Sequence, residues 1–216
     1  MAERLPVHPR ALIRHAVVRV LKEHPATVLL MGGRVCPNRM EHWLADELPA
    51  CGVYTMSEEV LESDISPDPN ERRIALVVEL LSRMTEAVDD TLDALTLAVE
   101  KALMLPAIGA AMTAIVNERL AAEGKEPLPP VTVNGGWRSS ILDTLLTLKL
   151  TTTELGIAVD GNREIGVAGM NFTLEYACPE YSEPLPDFLL AVSGWDALPH
   201  DNVIDMVSRV EFTPKE

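Results

Sequence analysis

The sequence predicts an α/β chain of the α+β type, and three stretches carry that expectation. Between Thr85 and Leu105 the apolar residues Val88, Leu92, Leu95, Val99 and Leu103 recur at helical spacing. From Ala168 to Tyr176, Ala168, Met170, Phe172, Leu174 and Tyr176 alternate with Gly169, Asn171, Thr173 and Glu175, the two-residue period of a strand with one polar face. Arg72 to Met84, RRIALVVELLSRM, is apolar almost without interruption, which suits a central strand. At 216 residues the chain is long enough for one domain with a sizeable core.

The elements follow in order. Pro9 to Glu23 has Leu12, Ala16 and Val20 on one stripe and Ile13, Val17 and Leu21 beside it, with Arg10, Arg14, Arg19 and Lys22 on the other side, and Pro25 ends this first helix. Ala26 to Met31 is a short apolar run before Gly32-Gly33 and is expected to be the first strand. Leu48 to Met56, LPACGVYTM, reads as a second strand and Arg72 to Met84 as a third. Between them, residues 57–71 are acidic, contain Pro67 and Pro69, and bury too little apolar surface to stay ordered alone, so a mobile acidic loop is expected.

Asp89, Asp90 and Asp93 near the start of the Thr85 to Leu105 helix complement its dipole. Pro106 interrupts it and opens a further helix, Ala107 to Ala122, with Gly124 as a left-handed cap. Glu126 to Arg138, with three prolines and Gly135-Gly136, is a loop. Leu146, Leu148 and Leu150 alternate with Thr147, Lys149 and Thr151, and Asp160-Gly161-Asn162 joins this strand to the next as a hairpin. Gly166 and Gly169 are strand positions where a missing side chain suits close packing or a bulge, so Gly169→Val is expected to disturb folding or assembly. Residues 179–216 form a C-terminal extension with room for one short strand and one short helix.

Composition narrows the function. The hydrophobic fraction of 47% and charged fraction of 24% are ordinary for a globular chain, while aromatics at 4% leave the core mostly aliphatic. A net charge of −15, from 33 acidic and 18 basic residues, opposes a duplex-gripping surface. No run approaches the roughly 20 apolar residues that span a bilayer, and no leader pattern opens the chain, so a cytoplasmic site of synthesis without a membrane is expected. Cys36, Cys51 and Cys178 are odd in number and far apart, which fits buried free thiols.

No motif names a reaction, and no cofactor is implied. The glycines of VDGNREIGVAGMNF match neither GxGxxG nor GxxxxGK[ST] and run into a strand instead of a helix, so a phosphate loop is the poorer reading. Glu41-His42 beside Asp46 and Glu47 lacks HExxH spacing and fits the wet side of a short helix. His8, His15 and His24 read as surface residues. Ser139-Ser140 lacks a GxSxG elbow and fits a helix cap. Glu58, Glu59, Glu62, Asp64, Asp68 and Glu71 lack the spacing of a calcium loop.

With RALIRHAVVRVLKEH…GGR (Arg10 to Arg34), LPACGVYTMSEEVLESD (Leu48 to Asp64), RRIALVVELLSR into DDTLDALTLAVEKAL (Arg72 to Leu103) and LGIAVDGNREIGVAGMNFTLEY (Leu155 to Tyr176), the chain resembles the tail terminator (minor tail) proteins of long-tailed bacteriophages, the lambda type in particular. The likeness spans residues 10 to 178, and residues 106–138 and the extension after Cys178 depart from it. It implies a mixed, largely antiparallel β-sheet flanked by helices, assembled as a hexameric ring at the head-proximal end of the tail, after assembly in the host cytoplasm. The implied partners are other copies of the chain, the tail tube protein and head–tail connector or neck proteins, with DNA passing through the lumen unbound. Glu58, Glu59, Glu62 and Asp64 are then candidates for the lumen, and Asn171, Thr173 and Glu175 for a subunit or partner contact. The alternatives are a tail completion or head–tail joining protein, a small metal-dependent hydrolase using Glu41-His42, and a regulatory binding module.

Overall fold

The computed structural model describes residues 8–39, 43–61, 71–127, 145–160 and 163–177, together with strands at 190–195 and 206–211. Two compact units are present, Met1–Pro179 and Glu180–Glu216.

The first helix forms where its stripe predicts, as α1 (Pro9–Glu23). Proline occupies the first turn, where no intrahelical N–H is lost, and His8 caps the end, its Nδ1 accepting from the Arg10 N–H at 3.2 Å. Ile13, Ala16, Val17 and Leu21 are fully buried.

The stretch expected as the first strand is a helix, α2 (Pro25–Met31). A six-residue apolar run carries no decisive period, so its flanks decide. Pro25 sets the opening turn, and the Thr27 hydroxyl donates back to the carbonyls of His24 and Leu21. Gly32 closes the helix in the left-handed conformation at φ 58, its N–H donating to the Val28 carbonyl at 2.8 Å. The first strand comes later, as β1 (Val35–Pro37).

Strands β2 (Ala50–Val60) and β3 (Glu71–Arg83) pair antiparallel, with a bulge between Thr55 and Glu58. Ser57 to Val60 and Glu71, expected in the acidic loop, are therefore strand residues, held by cross-strand pairing that extends β2 beyond its apolar half. Residues 62–70 lie outside the described residues. Helices α3 (Val88–Ala102) and α4 (Leu105–Ala122) follow, broken at Leu103-Met104, with Pro106 in the first turn of α4. Gly124 takes the left-handed conformation expected of it, at φ 70. The Pro-rich loop from 128 onward and Ser139-Ser140 lie outside the described residues.

Strands β4 (Leu145–Asp160) and β5 (Arg163–Ala177) make the expected antiparallel hairpin, paired from Leu145↔Tyr176 to Asp160↔Arg163; Gly161 and Asn162 lie outside the described residues. The sheet order is β1-β2-β3-β5-β4, with β1 parallel to β2 and all other pairs antiparallel, so β3 is central as its composition predicts. The second unit holds the antiparallel pair β6 (Leu190–Trp195) and β7 (Met206–Glu211). Where one strand and one helix are expected, β7 is a second strand, in keeping with the β-branched Val207 and Val210.

One face of the five-stranded sheet carries the core. Ile74, Leu76, Val78 and Leu80 of β3 and Ala168, Met170 and Leu174 of β5 are fully buried in one cluster with residues of all four helices. On the opposite face a smaller cluster of Trp43, Leu48, Ala50 and Leu81 covers one end, against Ile165 and Val167. The first unit is thus an α+β fold, a mixed sheet with four helices, and among the described residues no helix or strand covers the rest of its second face, called the open face below.

Candidate functional site

The open face is organised by alternation. Arg72 and Arg73 are adjacent in β3, so their side chains leave opposite faces. Glu59, Arg73 and Glu175 stand in register on β2, β3 and β5, and β5 in turn pairs Glu175 with Thr147 of β4. Arg73 donates from Nε and Nη2 to Glu175 Oε1 at 2.9 and 2.7 Å, and its Nη1 lies 3.5 Å from Glu59 Oε2. The Thr147 hydroxyl donates to Glu175 Oε2 at 3.2 Å. A single row of polar side chains thereby spans four strands. The Arg73 hydrogen bond, set against partial burial, holds the Glu175 carboxyl below the ordinary carboxylate range, and Glu175 raises the Arg73 guanidinium in return.

Asn171 and Thr173 extend this face. Asn171 Nδ2 donates to Thr152 Oγ1 at 2.9 Å, the Thr151 hydroxyl donates to the Asn171 carbonyl at 2.8 Å, and Thr173 stands between Ala75 and Lys149. Further along, the Tyr54 hydroxyl faces Glu79 Oε2 at 3.3 Å and the Arg39 carbonyl at 3.4 Å. Burial first, and then the Glu79 charge, push this phenol up to about 12. The Tyr54 ring lies over Gly52, where a Cβ would stand 2.6 Å from its hydroxyl oxygen.

The structure therefore brings together four of the seven candidates, Glu59, Asn171, Thr173 and Glu175. It separates Glu58, which stands opposite Ile74 and faces the helices. The Glu58 side chain is only 12% exposed, with Arg72 Nη1 at 3.5 Å, Arg10 Nη1 at 3.6 Å and His8 Nε2 at 3.7 Å. The Tyr176 hydroxyl donates to the same carboxylate. Burial raises this carboxyl, but Tyr176, His8, Arg72 and Arg10 together outweigh it and leave it below its ordinary value. Glu58 is thus a structural tie and not a free lumen charge. Glu62 and Asp64 lie outside the described residues.

The candidates drawn from the sequence left out Arg73, although a signal for its row was present. Two arginines side by side in an otherwise apolar strand place one cation on each face, and each needs a carboxylate there. His15 is exposed in a groove between α1 and α4, lined also by Arg19, Lys22 and Arg119. Partial burial, then the charges of Arg14 and Arg119, lower its pKa. Cys51 is fully buried, which pushes its thiol up, and Cys36 is half-buried; both are free, and Cys178 lies outside the described residues.

Glu41 and His42 also lie outside the described residues. Beside them, Trp43 is buried under the Arg39 guanidinium, 3.8 Å from its ring centroid. Glu47, in a single 3₁₀ turn, accepts from the Leu44 N–H at 2.7 Å and Arg39 Nη2 at 2.9 Å. Among the described residues no group of three His, Cys, Asp or Glu side chains is placed to hold a metal ion, and no single helix is long and apolar enough to cross a membrane.

No protein-family model and no curated protein matches the sequence. Among solved structures, the chain is similar to a chain from the virion of a native gene transfer agent particle, at 14% identity and a TM-score of 0.45, over 76% of this chain and 94% of that one.

Proposed function

We propose that this chain is a structural protein of a phage-like virion, one that caps the tail tube as a ring, ends tube growth and presents a face to the head or neck. The observation that supports this reading is the element order realised on a single sheet: α1, a long β2–β3 pair with an acidic connection, α3, and the closing β4–β5 hairpin. That order coincides with the segments on which the sequence resembles tail terminators. A ring needs a heterologous contact whose rotation closes, and an open sheet face with a polar row gives such a contact fixed charges to register against. On this reading the chain acts through contact, with the tube protein, connector proteins and its own copies as partners, at the head-proximal end of the tail.

The test is the phenotype of a phage lacking this chain, seen by electron microscopy. Overlong tail tubes are expected. Tails of normal length without heads would favour a head–tail joining role, and normal particles would overturn both.

A further inference from the structure

Strand β4 is paired on one side only. Its inner edge meets β5 throughout, and among the described residues no strand pairs with its outer edge. An edge of 16 residues with unpaired N–H and C=O groups is a template for another strand. Leu155, Ile157 and Val159, facing the helix side but beyond the helices, are 50%, 61% and 72% exposed.

The side chains of β4 specify which strand fits. Lys149 and Glu154 are the only charged residues between Thr147 and Val159, and among the described residues neither has an ion pair. In a regular strand, residues five apart would face opposite sides. Here the bulge between Leu150 and Thr152 shifts the phase, so that Lys149 stands opposite Thr173 and Glu154 opposite Gly169, both on the open face. Thr173 and Gly169 are an even number apart on β5, so Lys149 and Glu154 also turn their backbone groups the same way.

These are the two conditions for cross-strand partners. When a second β4 is laid antiparallel beside the first with Lys149 opposite the partner copy's Glu154, Leu148 falls opposite Leu155 and Leu150 opposite Thr153. Each of these three pairs then shares a face, and the two-fold axis, which passes between Thr151 and Thr152, repeats each of them. Sliding the strands by two residues in either direction loses both ion pairs.

We propose that β4 is a two-fold interface between two copies of this chain, joining their sheets into one. The contact closes at two and differs from the heterologous contact of a ring, so it does not rest on the tail-cap reading. It describes the free protein, with its long edge covered.

Sedimentation velocity of the full chain tests this, with circular dichroism confirming that each variant is folded. The wild type should sediment at twice the 23.6 kDa of one chain. Lys149→Glu and Glu154→Lys should each weaken the pair by about tenfold or more, because like charges then meet at both ends. The double variant Lys149→Glu/Glu154→Lys should recover the wild-type affinity. A monomeric wild type, single reversals that change nothing, or a folded double variant that fails to recover would each overturn the pairing. A wild-type ring indifferent to the reversals would also overturn it, while leaving the tail-cap reading in place.

Discussion

Glu58 shows how much a single carboxylate can organise. It gathers His8 and Arg10 from the start of α1, Arg72 from β3 and Tyr176 from the end of β5. Glu58→Gln keeps the shape and removes the charge, leaving these donors with a weaker acceptor. Unfolding in denaturant at neutral pH should show a loss of about 1–3 kcal/mol. The sign of the pH dependence follows from the direction of the shift. The folded carboxyl titrates below its ordinary 4.5, so its contribution is full above that value and is lost as pH falls through the folded pKa. The gap between wild type and variant should therefore close as pH falls through the folded pKa of this carboxyl; a gap that persisted in full well below it would contradict the assignment. This tie was not legible in the sequence. Glu58 and Tyr176 are 118 residues apart, and the acidic composition around Glu58 pointed to a loop.

At the scale of elements, periodicity was readable where it was long. The stripes of α1 and α3, the continuous apolar run of β3 and the alternation of β5 all appear where the pattern places them, because each has enough repeats to separate a period of 3.6 from one of 2. Short or interrupted patterns failed for definite reasons. The short Ala26–Met31 run became a helix through Pro25, Thr27 and Gly32, and β4 changes phase at its bulges, which leaves Leu146 39% exposed. The two strand glycines also differ. A Cβ at Gly166 would stand 2.3 Å from Val88 Cγ2 and 3.3 Å from Leu92 Cδ1, so this glycine lets α3 close onto β5. A Cβ at Gly169 would meet nothing within 4 Å. Gly166→Ala should cost about 1–3 kcal/mol by overpacking. Gly169→Ala should be neutral or slightly stabilising: close packing within the chain does not require this glycine, and the expected disturbance by Gly169→Val is left to an assembly contact. Thermal melts of the two variants would decide, and equal losses would refute the distinction.

At the scale of the whole molecule, the net charge of −15 is the property to be placed. Part of the acid is matched by cations, as in the Arg73 row and the Glu58 cluster. Under the tail-cap proposal, the acidic connection between β2 and β3 lines a channel through which DNA passes, and repulsion keeps the passage free. Reversing Glu62 and Asp64 of that connection to Lys should then slow DNA ejection, measured as the rate of genome release from purified particles; an unchanged rate would count against that placement. The Glu58 cluster has a separate, practical consequence. Because His8, Glu58 and Tyr176 meet, the start of α1 and the ends of β2 and β5 share one corner of the first unit. A fluorophore attached at position 8 sits at that corner, so it reports on contacts made there and is a poor choice as an inert label.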